Sequence, residues 1–238
     1  MENNIVEILK DDREYIEDYL VRSVYNSAAI ESNSITVDET RAILLDGILP
    51  NFNRRVSVRE FNELVNLKKA WSFVINNYDK EITISLMHEV HKLTMENIDE
   101  EAGRFKRTAN MVGGILTTSP ENVSTEILYL IDNLYKGWLP YAETEIDKVQ
   151  AVVDFHIQYE EIHPYQDGNG RSGRLLMNWL LLQNNIPPFT IRVEDQARYY
   201  MFLRTKDRIG LMEYTLSQIT NEALLLNRNG QLVYSPEK

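Results

Sequence analysis

A mostly α-helical domain carrying one small β-hairpin is the fold this sequence predicts, and three observations predict it. Apolar residues recur at helical spacing through nearly all of the 238 residues. Alternating runs of strand length are scarce. One interruption, GRFKRTANMVGGILTT at residues 103–118, puts β-capable residues on both sides of Gly113-Gly114, which reads as a hairpin.

The elements follow in order. The first twenty residues carry seven acids and two bases around Ile5, Ile8, Leu9, Tyr15, Ile16 and Leu20, a solvated face around an apolar stripe, and the helix is expected to run on to about Ile30. A second helix spans about Val58 to Tyr78, with Phe61, Leu64, Val65, Leu67 and Trp71 at core spacing, and a third about Ile84 to Met95. After the hairpin, Ser119 and Pro120 give a cap signal for the next helix. Glu145–Ile162 and Ser172–Leu182 follow, the latter stopped by NNIPP, and a last pair covers about Glu194–Asp207 and Leu211–Asn227. No repeat, linker or low-complexity stretch divides the chain, so residues 1–238 read as a single domain.

Composition excludes several classes. Apolar residues at 43% and charged residues at 26% are those of an ordinary globular chain. Cysteine is absent, which removes disulfide scaffolds, thiol catalysis and cysteine-ligated zinc. A net charge of −11 argues against general nucleic-acid binding. The N-terminal segment has no basic n-region or apolar run, and the greasiest stretch, LLMNWLLLQ, is half a membrane span. The expectation is a cytoplasmic protein with no membrane partner.

Chemistry concentrates in EEIHPYQDGNGRSGRLLMNW, residues 160–179. Pro164 ends a helix near His163. Asp167-Gly168-Asn169-Gly170 is a tight loop opening into the next helix. Its glycines let backbone N–H groups face a ligand, and the helix N-terminus adds a positive dipole end, so the loop suits phosphate. Arg171 and Arg174, three apart, project from one side of the first turn and suggest a polyphosphate. Asp167 is a hard oxygen ligand placed for Mg²⁺. His163 is the group able to act as base near neutral pH.

HPYQDGNGRSGR resembles the signature of the Fic (Fic/Doc) family, HPFx(D/E)GNGRxxR, departing only in Tyr165 for Phe. GRFKRTANMVGG with SPENV is similar to the family's β-hairpin flap and following helix, VQAVVDFHIQYEEI to the helix before the motif, and Arg198-Tyr199-Tyr200 stands where the family places nucleotide-pocket aromatics. The likeness covers about residues 85–210, the expected catalytic core of a mostly helical Fic fold. It implies a protein adenylyltransferase, ATP- and Mg²⁺-dependent, that moves AMP to a Ser, Thr or Tyr hydroxyl of a target protein or of itself. Carried over by position, His163 deprotonates the hydroxyl and Asp167 holds Mg²⁺ on the α/β-phosphates. Gly168, Asn169 and Gly170 supply the anion hole, Arg171 stands by the β-phosphate and Arg174 on the γ-phosphate, with Ser172 and Gly173 completing the ATP-binding run. Val112, Gly113, Gly114 and Ile115 pin the target by strand addition, and Tyr199 and Tyr200 line the base pocket. The phosphotransferase branch has Ala and Lys where this chain has Gly168 and Gly170, which favours nucleotide transfer.

Upstream, YNSAAIESNS is similar to the family's inhibitory motif, (S/T)xxxE(G/N). Ser27 and Glu31, four apart, share a helix face, and the resemblance implies that Glu31 pairs with Arg174 and blocks the γ-phosphate position, making residues 1–35 an inhibitory region. Ser32 replaces Gly, and serine takes left-handed geometry at a cost, so the brake is expected to be displaced or weakened. Relatives braked at the N-terminus often form homodimers. Three readings stand beside adenylylation: another nucleotide, hydrolytic removal of AMP with Glu31 orienting water, and a silent nucleotide-binding regulator. Met87-His88-Glu89-Val90-His91 misses the H-E-x-x-H spacing, and its histidines read as ordinary helix residues. His156 reads as packing. Arg54, Arg55, Arg59, Lys68 and Lys69 read as a solvated basic face, with contact to an acidic protein target as the alternative.

Overall fold

The computed structural model describes residues 4–226; Asn227, the expected end of the last helix, and the rest of the flanks of the 1–238 reading lie outside the described residues. The elements are α1 (Ile5–Asp11), α2 (Arg13–Ile30), α3 (Val37–Arg41), α4 (Val58–Asn77), α5 (Ile84–Met95), β1 (Met111–Val112), β2 (Ile115–Leu116), α6 (Pro120–Asp132), α7 (Glu145–Ile162), α8 (Asn169–Gln183), α9 (Gln196–Thr205) and α10 (Arg208–Leu226). The fold is thus mainly helical with one two-stranded antiparallel sheet, paired Met111 to Leu116 and Val112 to Ile115.

α8 is the axis. Residues 171–182 are all buried, and a helix buried on every side belongs inside a bundle. α2, α4, α5 and α7 pack around it, and α10 covers the other side of α7. Trp179, Leu180 and Leu181 of α8, Leu67 and Val74 of α4, and Val152 and Phe155 of α7 form the centre of the core. Helix starts are fixed by side chains: Ser57 and Glu60 make a capping box on α4, and Thr144 and Asp147 make one on α7.

The structure departs from the sequence reading in four places. The expected first helix is two, because Asp12 caps α2 by accepting from Tyr15 N at 3.0 Å. The hairpin occupies only residues 111–116, and the chain before it runs irregularly against α7 and α5. α8 begins at Asn169 rather than Ser172, so the glycine loop forms its first turn. A Thr36–Glu39 capping box starts α3 in a stretch where periodicity gives no signal.

Candidate functional site

α7 ends where Pro164 forbids another turn, and His163 is its C-cap in left-handed geometry, φ 50°. Lys106 braces this corner. Its N–H donates to Pro164 O at 2.9 Å. Its Nζ donates to Ile162 O at 3.0 Å, Asn110 Oδ1 at 2.8 Å and Thr117 Oγ1 at 2.6 Å, tying the base of the flap to the end of α7. Burial, then the Lys106 charge, depress the His163 imidazole to about 4, so it is neutral and able to accept a proton at pH 7.

The loop from Pro164 to Gly168 is held from within. Asn169 clamps Tyr165, accepting from its N–H at 2.9 Å and donating to its carbonyl at 2.8 Å. Tyr165 stacks on His91 with ring centroids 3.7 Å apart, and its hydroxyl lies 3.1 Å from His88 Nδ1. The hydroxyl by which Tyr165 departs from Phe therefore has a partner. Gly103 N–H donates to His91 Nδ1 at 2.9 Å, which leaves Nε2–H to donate to the Asp167 carbonyl at 2.8 Å. Gly168 has φ +77°, and a Cβ there would stand 2.6 Å from Met95 Sδ, so only glycine fits. The first bond of α8 runs from Ser172 N to Gly168 O at 3.0 Å. The N–H groups of Asn169, Gly170 and Arg171 precede it and are the orphan donors of a helix start, suited to an anion.

The arginines part company. Arg171, 2% exposed, reaches Glu63 of α4 at 2.8 Å and Asp167 at 3.2 Å. Arg174 turns to α2: it donates to Ser27 Oγ at 3.1 Å, Ser27 O at 2.9 Å and Glu31 Oε1 at 2.9 Å, while its buried Nη1 has no partner. Glu31 lies against the loop itself, for a Cβ on Gly170 would be 2.6 Å from its Oε1. The carboxylate thus stands on the arginine and the glycine that an anion would use. Ser32 does take the left-handed conformation, φ 70°. Ser32 N donates to Ala29 O at 2.9 Å and Asn33 N to Ala28 O at 3.2 Å, the Schellman closure that glycine usually makes. The serine leaves Glu31 within reach of Arg174.

Asp167 is paired on both oxygens: Oδ2 with Arg59 at 2.5 Å, Oδ1 with Arg171 at 3.2 Å and with its neighbour Gly168 N at 2.6 Å. Burial works against the charge, but Arg59 and Arg171 outweigh it and hold the carboxyl below its usual range. Among the described residues no three carboxylate or imidazole side chains converge as a metal cage. A single carboxylate still fits Mg²⁺, which commonly takes one or two protein carboxylates and fills its shell with phosphate oxygens and water.

The other predicted residues divide. Val112, Gly113, Gly114 and Ile115 form the exposed tip of the hairpin, with φ +56° and +82° at the two glycines. Tyr200, 42% exposed, donates from its hydroxyl to Ile30 O at 3.2 Å, beside the brake. Tyr199 is 1% exposed with its hydroxyl 2.7 Å from His156 Nε2, so here it is core beneath Tyr200. Ser172 turns inward to Tyr159 at 2.8 Å, and Gly173 packs on Glu160 and Tyr159. Sequence reasoning missed Glu63, Arg59, Lys106, His91 and Glu160. Arg59 was read as solvated face; it instead bridges Glu63 and Asp167. Glu63 also accepts from Asn33 Nδ2 at 2.9 Å and so joins the brake segment to Arg171. Only Glu160, three before His163, carried a local signal.

A helical bundle presenting a glycine loop at a helix N-terminus, a histidine at a helix end and a hairpin flap defines the class of domain. Residues 81–181 match the Fic/DOC family and form a Fic/DOC family domain. The chain is 34% identical over 187 residues to protein adenylyltransferase fic-1 of Caenorhabditis elegans, covering 76% of this chain and 35% of the relative. It is 30% identical over 189 residues to protein adenylyltransferase Fic of Culex quinquefasciatus, covering 77% and 36%. The chain therefore spans about a third of the length of these curated relatives. Among solved structures, a Fic-domain-containing signaling protein of Bacteroides thetaiotaomicron superposes with TM-score 0.81 at 20% identity, over 98% of this chain and 100% of that one. Fic-1 of C. elegans gives TM-score 0.75 at 28% identity, over 95% and 70%. No described helix is long and apolar enough to cross a membrane.

Proposed function

We infer that this chain is a protein adenylyltransferase that transfers AMP from ATP to a hydroxyl side chain of a protein, itself included, and that it rests in a restrained state. The observation that carries the reading is the succession, over residues 163–174, of a histidine capping one helix, the anion loop that opens the next and two buried arginines in its first turns, in a domain whose relatives are named for this activity.

In this reading the α-phosphate meets the N–H groups of Asn169 and Gly170, and Arg171 and Arg174 take the outer phosphates. His163 removes the proton of the acceptor hydroxyl as its oxygen bonds to the α-phosphorus and pyrophosphate leaves. Positioning and charge neutralisation supply most of the rate in such transfers. Asp167 would hold Mg²⁺, which supplies neutralisation of phosphate charge; Arg59 must then give up Oδ2. The flap offers backbone N–H and C=O groups to an acceptor strand. Restraint comes from Glu31, which both neutralises Arg174 and repels phosphate from it. Incubation with ATP labelled at the α-phosphate tests the reading. Label should appear on protein with the released form Glu31→Gly and fall at least 100-fold in Glu31→Gly/His163→Ala; equal labelling of the two would remove His163 from the chemistry, and none with Glu31→Gly in a lysate would remove the activity.

A further inference from the structure

The last turn of α7 holds a second ionisable group that the transfer scheme leaves unused. Glu160 and His163 are three apart and share a helix face. His163 Nδ1 lies 3.7 Å from Glu160 Oε2. His163 Nδ1 and Glu160 Oε1 are both buried and lack a well-aligned hydrogen-bond partner, and the Glu160 backbone carbonyl also lies near enough to the ring to favour its charged form. Nδ1 is the buried nitrogen, which leaves Nε2 as the one to meet an acceptor hydroxyl. Space for the carboxyl exists because residue 173 is glycine: a Cβ there would stand 2.7 Å from Glu160 Oε1.

Tyr159 of α7 and Tyr199 and Tyr200 of α9 face Glu160, each with its hydroxyl pushed up by burial and so neutral. Charged groups surround the pair as well. Lys106 and Asp167 face His163, Arg174 faces Glu160, and Glu31 bears on both. Burial and Glu31, against Arg174, push the Glu160 carboxyl up to about 8, while burial and Lys106 push His163 down to about 4. Between those values the pair keeps its extra proton on the carboxyl.

Resting on the reading of His163 as the base, we propose that Glu160 is a positioning residue that decides which nitrogen of His163 carries the imidazole proton, and that Glu31 restrains the enzyme partly through it. A neutral Glu160 offers its O–H to Nδ1, so the imidazole proton sits on Nε2, where it blocks base catalysis. An ionised Glu160 accepts Nδ1–H and leaves Nε2 bare. The proton balance is closed: ionisation gives one proton to solvent, and the imidazole proton moves from Nε2 to Nδ1. When Nε2 then takes the hydroxyl proton, the imidazolium faces a carboxylate, the arrangement that stabilises it in hydrolytic triads. Departure of Glu31 leaves Arg174 uncompensated beside Glu160 and favours the ionised form. One movement therefore opens the phosphate site and arms the base.

The test is ¹⁵N NMR of the His163 ring in the full chain between pH 6 and 9, with kinetics in the Glu31→Gly background. Wild type should pass from the Nε2–H to the Nδ1–H tautomer across this range, Glu31→Gly should do so at least half a pH unit lower, and Glu160→Gln should show no such transition. In Glu31→Gly, adding Glu160→Gln should lower kcat at least 10-fold and flatten the rise of kcat with pH, with ATP affinity within twofold. A wild-type tautomer that does not change with pH, a transition that survives Glu160→Gln, or a kcat within twofold would each overturn the proposal. Failure of Glu31→Gly to transfer AMP would instead sink the enzyme reading, and the NMR arm would still decide the role of Glu160.

Discussion

At the scale of single residues, the site is a closed set of charge pairs. Three guanidiniums, Arg59, Arg171 and Arg174, meet three carboxylates, Glu63, Asp167 and Glu31. A buried arginine stripped of its partner is strongly destabilising, so Arg174 without Glu31 is poised to take an anion. Arg59 is the loosest member, 52% exposed on its side chain. An exposed pair is worth up to about 1 kcal/mol, so Arg59→Gln should tighten Mn²⁺ binding in the presence of ATP by about two- to fivefold. Mn²⁺ titration by EPR reads this without turnover; unchanged or weaker affinity would mean that Arg59 does not compete for Asp167. His163, Asp167, the glycines and both arginines were legible because they stand in one contiguous run. Glu63 and Lys106 were not, because their partners lie far away in sequence and periodicity says only which face a residue occupies. Glu63 is a charged residue among apolar ones on the inner face of α4, a signal visible only when buried charge is looked for.

At the scale of elements, boundaries were legible wherever a cap or a proline punctuates the chain. α5 and α7 fall where apolar spacing and flanking polar residues put them, and α6 starts at Pro120. Thr117-Thr118-Ser119-Pro120-Glu121-Asn122 also fits (S/T)xxxE(G/N) letter for letter, but that same proline starts α6 inside it, so Thr117 and Glu121 share no helix face and the match is an accident of composition. The split at Asp12 was missed because the apolar stripe continues across it while the backbone does not. The π-helical turns Ala42–Asp46 and Asn133–Trp138 carry no signal in a 3.6-residue pattern. The end of α2 supports a prediction of its own. Ser32 holds φ 70° where glycine would sit without strain, so Ser32→Gly should stabilise the fold by about 0.5–1 kcal/mol, measured by urea unfolding. Because the Schellman bonds are already made, the variant should leave restraint by Glu31 unchanged; a rise in basal transfer would show that the serine shapes the brake.

At the scale of the whole molecule, buried titratable groups set the pH range of the fold. Burial lowers His91 to about 4 and His156 to about 3, and with Lys106 lowers His163 to about 4. Each takes up a proton on unfolding below about 6.5, so stability falls as pH drops from 6.5 toward 4. Glu160 has the opposite sense: raised to about 8, it binds its proton in the folded state, and stability falls as pH rises from 4.5 toward 8. Below 6.5 three imidazoles outweigh one carboxyl; above it the carboxyl dominates up to about pH 8, where Lys106, lowered to about 8 by burial, begins to lose its proton in the folded state and opposes the decline. Stability from these groups therefore peaks near pH 6.5, declining by up to about 1.4 kcal/mol per pH unit on the alkaline side. Thermal unfolding across pH 4.5–9 should show that peak, and Glu160→Gln should remove the alkaline decline; a curve flat from pH 6.5 to 8 in wild type would contradict the burial of a neutral carboxyl.

Restraint of AMP transfer by Glu31 on Arg174 is tested most directly by comparing initial rates of protein labelling from α-labelled ATP for wild type and Glu31→Gly. The rate should be at least 10-fold higher for Glu31→Gly, from removal of a carboxylate 2.9 Å from Arg174 in the anion site. Equal rates for the two proteins would contradict it.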